Sequence, residues 1–346
     1  GEPKGVCVSH GALSCFIESF TGTLGIGPED VMANQAPLDF DVSVKDIYSA
    51  LKVGAKVCLM PRSSFLIPSR AVGILTDSRV TTLIWAVSAL CVLANTKALS
   101  PAAPASIKKV MFSGEVMPIR QLNYWKSLLP DAMFVNLYGP TEVTCNCMYY
   151  VLDRHFSDAE TLPLGKAFPH AGVSVLKEGG VPARAGEVGE IHVRGPSLAL
   201  GYYRNPAQTA ASFVQNPLND RYPETVYKTG DLARVLPNGD LAFASRTDSQ
   251  IKHLGHRVEL PEIEAAVGSL EGIAAAACLY DAPKGRIVLV YEGEGVGGSD
   301  ILRGIRPILP KPMHPQAFVR VAAMPYTRNG KIDRARLKSE HLDGEG

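Results

Sequence analysis

The feature that most limits what this chain can fold into is a repeated switch of hydrophobic period between Val6 and about Val151. Short apolar runs suited to buried strands (56–60, 81–85, 109–112 and 133–137) alternate with segments whose apolar residues recur at helical spacing. The helical segments are 9–20, with Ser9 as its cap, 46–53, a stretch near 68–78, one from Ser88, and 119–129. Strand–helix alternation of this kind predicts an α/β fold with a doubly wound, largely parallel sheet. Such sheets place ligands at the carboxyl ends of their strands.

Two polar stretches fall at such ends: Ser113-Gly114-Glu115 and Tyr138-Gly139-Pro140-Thr141-Glu142. In the second, Gly139-Pro140 breaks the strand and forces a turn. The turn presents a ring, a hydroxyl and a carboxylate together. That trio suits a nucleotide: a ring for the base, a hydroxyl for a phosphate oxygen, a carboxylate for Mg²⁺. An ordinary loop with a helix cap is the plainer reading.

A chain of 346 residues exceeds what one core usually holds, so two or three domains are expected. From about residue 157 to 244 the texture changes to short strands (173–176, 189–194, 241–244) between Gly, Pro and Asn turns. This predicts a small β-rich, barrel-like subdomain. Beyond the turn-like Arg246-Thr247-Asp248-Ser249, an α+β unit follows, with helices at 261–270 and 300–309 and strands at 287–292 and 318–321. The expected divisions are residues 1–155 (the α/β part), 156–247 (the β-rich part) and 248–346 (a small C-terminal domain).

The net charge of +1 points to neither nucleic acid nor an anionic membrane. The longest apolar stretch, 80–94, is too short to span a bilayer. Seven scattered cysteines do not form a disulfide framework, so a reducing cytoplasm is expected. Cys145-Asn146-Cys147 is too closely spaced for the usual zinc pattern, and small buried thiols are the simpler reading.

The polar stretches continue in a fixed order. After Gly1-Glu2-Pro3-Lys4-Gly5 come Phe40-Asp41-Val42-Ser43, Ser113-Gly114-Glu115 and the turn through Glu142. Gly189-Glu190-Ile191, Gly201-Tyr202-Tyr203 and Tyr227-Lys228-Thr229-Gly230-Asp231 follow. The series ends with Arg246-Thr247-Asp248-Ser249, Gly255-His256-Arg257-Val258-Glu259 and Asn329-Gly330-Lys331-Ile332-Asp333. The whole chain thereby resembles the amino-acid adenylation domains of nonribosomal peptide synthetases, within the adenylate-forming enzymes. The nearest flavour is the stand-alone D-alanine–carrier protein ligase, since Asp46-Ile47-Tyr48 and Met111-Phe112-Ser113-Gly114-Glu115 look like theirs.

The resemblance implies an enzyme that joins ATP and an amino acid into aminoacyl-AMP, releasing pyrophosphate. It then passes the acyl group to the phosphopantetheine thiol of a carrier protein. By the same resemblance Lys331 is the catalytic cation, with a solvated turn lysine as the plainer alternative. Asp231 accepts the ribose hydroxyls, and Arg246 contacts ribose or phosphate. Tyr138 stacks on adenine beside Gly139, with Gly114 and Glu115 as the other wall. Thr141 meets a phosphate oxygen and Glu142 holds Mg²⁺. Asp41 receives the substrate ammonium, and a local turn cap is its alternative.

The implied pocket lining is Asp41, Val42, Lys45, Ile84, Met111, Ser113, Leu137, Cys145 and Asn146. D-alanine ligases carry an apolar residue in place of Lys45. A lysine there suggests a polar or acidic substrate side chain, unless Lys45 snorkels out to water. Asp248 matches the family hinge, and Lys252 to Gly255 the loop used in thioester formation.

The family's phosphate loop lies just before Pro3-Lys4-Gly5, so the sequence reads as an N-terminally truncated member, and the truncated sheet edge would need covering. Two other functions stay open: an acyl-CoA or aryl-CoA synthetase, against which Asp41 argues, and a non-catalytic nucleotide-binding fragment.

Overall fold

The computed structural model describes residues 4–100, 103–157, 160–246, 250–325 and 332–342. The chain divides into two compact units, Pro3–Thr247 and a C-terminal one beginning at Asp248.

The larger unit is built on a seven-stranded sheet. Its strands are β1 (Val31–Asn34), β2 (Lys56–Leu59), β3 (Thr82–Ala86), β4 (Lys109–Ser113), β5 (Met133–Tyr138), β6 (Met148–Val151) and β7 (Lys166–Ala167). They lie in the order β2-β1-β3-β4-β5-β6-β7. The first five run parallel and the last two antiparallel. The sheet thus takes its seventh strand from beyond residue 156.

Helices α1 (His10–Leu24), α2 (Ser43–Val53), α3 (Pro68–Asp77), α4 (Val87–Asn95) and α5 (Ile119–Leu128) cover both faces. Strand alternation decides which side chain meets which helix layer. Leu83, Trp85, Val110, Phe112 and Phe134 enter the core shared with α3, α4 and α5. Ile84, Met111, Val135 and Leu137 enter the opposite core, with Phe16, Ile17 and Phe20 of α1 and Ala50 of α2. Trp85 is fully buried, and a ring of this size removes about 150–250 Å² from water, worth roughly 4–6 kcal/mol. Its indole N–H stays paired, donating to Ala33 O at 2.7 Å.

Local signals set the helix ends. Ser9 caps α1 by accepting from the Ala12 amide at 3.0 Å, and Gly25 closes it in the left-handed conformation, φ 60°. α1 therefore runs one turn past Phe20, where the apolar spacing alone had ended it.

Residues 172–246 form a five-stranded antiparallel sheet of β8 (Gly172–Leu176), β9 (Val188–Arg194), β10 (Phe213–Gln215), β11 (Thr225–Val235) and β12 (Leu241–Arg246). α6 (Pro206–Ser212) is the helix within it. An isolated bridge, Gly165 with Leu241, links this sheet to the end of the large one. β10, β11 and α6 escaped the sequence reading because their apolar residues are few and broken by polar ones.

The C-terminal unit begins with a hairpin of β13 (Gln250–His253) and β14 (His256–Glu259). Its two-residue turn has Leu254 and Gly255 both at positive φ, 52° and 79°. α7 (Leu260–Gly268) leads to a three-stranded sheet of β15 (Ile273–Asp281), β16 (Arg286–Gly293) and β17 (Ala317–Val321). α8 (Gly298–Ile305) and α9 (Arg334–His341) complete the unit. Ile263, Val267, Leu289 and Ile301 pack one face of this sheet, and Ala277, Val288, Val290 and Leu337 the other. Among the described residues no helix is long and apolar enough to cross a membrane.

Candidate active site

The site is built where β4 and β5 end. After Tyr138 the chain reverses within a few residues, and the Cys147 amide returns to donate to Tyr138 O at 2.9 Å. Gly139 makes the reversal possible: a Cβ there would lie 2.6 Å from Asn146 Cα and 2.8 Å from Cys145 O. Thr141–Val143 form one 3₁₀ turn. Thr144 and Cys145 then both adopt positive φ, 59° and 69°. Two consecutive left-handed non-glycine residues are costly, and such strain persists only where the surroundings impose it. Here the Thr144 hydroxyl is anchored by donating to Ser197 O at 2.7 Å.

Asp41 sits in the turn leading into α2. Its Oδ2 accepts the Thr141 hydroxyl at 2.6 Å, and its carbonyl accepts the Cys145 thiol at 3.2 Å. Burial, with the Asp41 charge nearby, pushes the Cys145 thiol well up, so it stays neutral. One turn into α2, Lys45 is 1% exposed, which rules out snorkelling to water. Its ammonium donates to Ser113 Oγ at 2.9 Å and Asn146 Oδ1 at 3.1 Å. Ile84, Met111, Leu137 and Cys145 share the apolar cluster on this same face of the sheet. Val42 lies beside Asp41 at the start of α2, half-buried.

Two buried residues beside the site were given no role from the sequence, Asp46 and His170. Asp46 is fully buried, and Asn34 Nδ2 donates to its Oδ2 at 3.0 Å. Burial pushes its carboxyl up to about 7, against the opposing pull of Asn34 and Lys45. His170 lies 3.2 Å from Asn146 O and stacks on Phe168. No local sequence signal marks His170, and the Asp46-Ile47-Tyr48 stretch carried a resemblance without a role for the Asp46 carboxylate.

On the other side of the turn, the Tyr138 hydroxyl donates to Asp231 Oδ2 at 2.6 Å. Both residues are buried, Tyr138 at 6% exposure and Asp231 at 3%. Tyr138 packs in an apolar cluster with Val143 and Cys147. Gly114 has φ 100° with no atom crowding the position of a Cβ, and Glu115 beside it is half-buried. Burial, with the Glu115 charge nearby, pushes the Cys91 thiol up to about 11.

Glu142 is fully buried, and its Oε1 accepts the Tyr202 hydroxyl at 2.7 Å. The segment around Tyr202 joins it to the start of the chain. Ala199 N donates to Glu142 O at 2.9 Å, Leu200 N to Cys7 O at 2.8 Å and Tyr203 N to Gly5 O at 2.7 Å. The sequence marked Gly201-Tyr202-Tyr203 as a motif, but nothing local showed that it grips Glu142. Among the described residues no group of three or more His, Cys, Asp or Glu could hold a metal. Glu142 alone offers one hard carboxylate, which fits Mg²⁺ only in its usual manner, shared with substrate phosphate oxygens and water.

Lys331 and Asp248 lie outside the described residues. Arg246 and Lys252 are placed in β12 and β13, with their side chains outside the description. The backbone of Arg246 pairs with Asp231. A cavity of about 690 Å³ lies elsewhere, on the β-rich sheet between Leu176, Glu190, His192 and Lys228.

The chain belongs to the AMP-binding enzyme family, whose model matches residues 1–203. It is 37% identical over 346 residues to an L-proline–[L-prolyl-carrier protein] ligase of Streptomyces coelicolor, an alignment covering 97% of this chain and 63% of that protein. Among solved structures, IdnL1 is 33% identical with a TM-score of 0.82, covering 93% of this chain and 67% of that one. PA1221, described as a nonribosomal peptide synthetase protein containing adenylation and PCP domains, is 28% identical with a TM-score of 0.79, over 97% of this chain and 60% of its own. The chain therefore spans less than two thirds of the S. coelicolor ligase it matches.

Proposed function

We propose that this protein activates an amino acid with ATP as aminoacyl-AMP, releasing pyrophosphate, and transfers it to the phosphopantetheine thiol of a carrier protein. The observation that carries the proposal is the 2.6 Å hydrogen bond between Thr141 and Asp41. It sets a carboxylate suited to an α-ammonium directly against the turn suited to a nucleotide. Catalysis of the first step must bring one anion onto another, so alignment and charge screening are what the protein has to supply.

In this reading Asp41 holds the ammonium. Val42, Lys45, Ile84, Met111, Ser113, Leu137, Cys145 and Asn146 surround the substrate side chain. Asp231 and Arg246 take the ribose and phosphate, Gly114, Glu115, Tyr138 and Gly139 bound the base, and Thr141 meets a phosphate oxygen. Glu142 is the Mg²⁺ ligand, and the ion supplies neutralisation of phosphate charge when bound. Lys331 is assigned the catalytic cation, and Asp248, Lys252 and Gly255 the hinge and thiolation roles, on the resemblance alone. The prolyl-carrier protein named in the S. coelicolor relative supports a carrier protein as partner. The scattered cysteines support a cytoplasmic location.

Proline has no side-chain acceptor for an ammonium. The buried Lys45, held by Ser113 and Asn146, favours a substrate whose side chain carries a carboxylate or amide. Asp41 also favours this activity over an acyl-CoA synthetase, whose substrates lack the ammonium it would pair with.

Amino-acid-dependent exchange of labelled pyrophosphate into ATP, screened over the proteinogenic and D-amino acids with the full-length gene product, tests the proposal. Exchange with one substrate or a small related set is expected. No exchange with any amino acid would refute it.

A further inference from the structure

Tyr138 ends β5 and Asp231 lies in β11, ninety-three residues later, yet the phenol donates to Asp231 Oδ2 at 2.6 Å. That length is in the range of charge-assisted O–H···O⁻ bonds, roughly twice as strong as neutral ones. The pair is fixed from both sides. The Asp231 amide donates to Thr229 Oγ1 at 3.0 Å, and the Thr229 hydroxyl donates to Ile191 O at 2.8 Å. Tyr138 is held by its strand, where it pairs with Met148, and by apolar packing against Val143 and Cys147. Burial and the Asp231 charge push the phenol well above its ordinary value, so it remains a donor at every working pH. The ring is 6% exposed. The Tyr138 hydroxyl is thus held on Asp231.

We propose that Tyr138 is a positioning residue for Asp231, its phenol fixing the carboxylate plane in which Asp231 accepts the ribose hydroxyls. The inference rests on the ribose role assigned to Asp231 above. Each carboxylate oxygen can accept two hydrogen bonds, so the phenol orients the group without exhausting it. A carboxylate set in advance spares the nucleotide the entropy of ordering it.

The discriminating measurement compares ATP with 2′-deoxy-ATP. Tyr138→Phe keeps the ring and its packing and removes only the hydroxyl. Dissociation constants for both nucleotides are measured by titration calorimetry on the full-length gene product for wild type, Tyr138→Phe and Asp231→Asn, with thermal unfolding as a check on the fold. In Tyr138→Phe the ATP constant is expected to rise about tenfold and the 2′-deoxy-ATP constant less than about twofold, so that preference for the 2′-hydroxyl collapses. Asp231→Asn should lose the same preference. Equal weakening of both nucleotides in Tyr138→Phe, or no change in either, overturns the positioning role while Asp231→Asn still upholds the ribose assignment. An Asp231→Asn protein that keeps the wild-type preference overturns both.

Discussion

A buried lysine is the residue on which the proposed substrate preference rests. Lys45 could have pointed to water, and its sequence neighbours did not decide the matter. At 1% exposure, bonded to Ser113 and Asn146, it is a buried cation beside the proposed substrate pocket. Lys45→Met is expected to lower kcat/KM for a polar or acidic substrate by about 10- to 100-fold and to raise that for apolar amino acids. An unchanged profile in pyrophosphate exchange would place Lys45 outside the recognition surface.

Its neighbour Asp46 yields a pH prediction. The folded chain keeps a proton at Asp46 up to about 7, whereas the ordinary value is 3.8. Its stabilising contribution is fully present below that ordinary value and is lost as pH rises through the folded one. Asp46→Asn removes the titration. The variant should therefore gain on wild type by up to about 1.4 kcal/mol per pH unit across that window. Urea unfolding at about pH 5 and about pH 8 reads the difference, and an equal offset at both would show that Asp46 does not hold the proton.

At the scale of an element, the decisive piece is the reversal between β5 and β6. The sequence announced a turn through Gly139-Pro140, and its location at a strand end was legible from the apolar run before it. The return path was not. It depends on Thr144 and Cys145 at positive φ and on the Ser197 carbonyl, more than fifty residues away. Gly139→Ala tests the reversal, because its Cβ would meet backbone atoms that cannot swing aside. It should destabilise the fold by about 1–3 kcal/mol, measured as a fall in Tm, and depress exchange activity beyond what the lost stability explains. An unchanged Tm would show that the turn adjusts freely. The Ala199–Tyr203 segment is a second element read only in part: its residues formed a motif, but its grip on Glu142 through Tyr202 comes from the fold.

Across the whole molecule, the parallel sheet with helices on both faces follows from the alternation of periods, since each strand had to bury two apolar faces. Of the open five-stranded sheet of the β-rich part, β8, β9, β12 and the turns were legible, but β10, β11 and the pairing were not. Non-local pairing is not encoded in any one segment: β11 sits between β9 and β10, and that order brings Asp231 to Tyr138. Lys331 remains a prediction from sequence. Lys331→Ala should reduce adenylation by at least about 100-fold with little change in Tm, and retained exchange would remove it from the reaction.

The sequence by itself determined the α/β class, the family-like order of motifs and the residue types available for an ATP and amino-acid site. Periodicity and turn chemistry are local, so one chain suffices to read them. Only the tertiary structure decided which of those residues meet: Asp41 with Thr141, Lys45 with Ser113 and Asn146, Tyr138 with Asp231. Those contacts span from 68 to 101 positions of sequence, and they exist because strand order and helix packing close the distance, which no local pattern records.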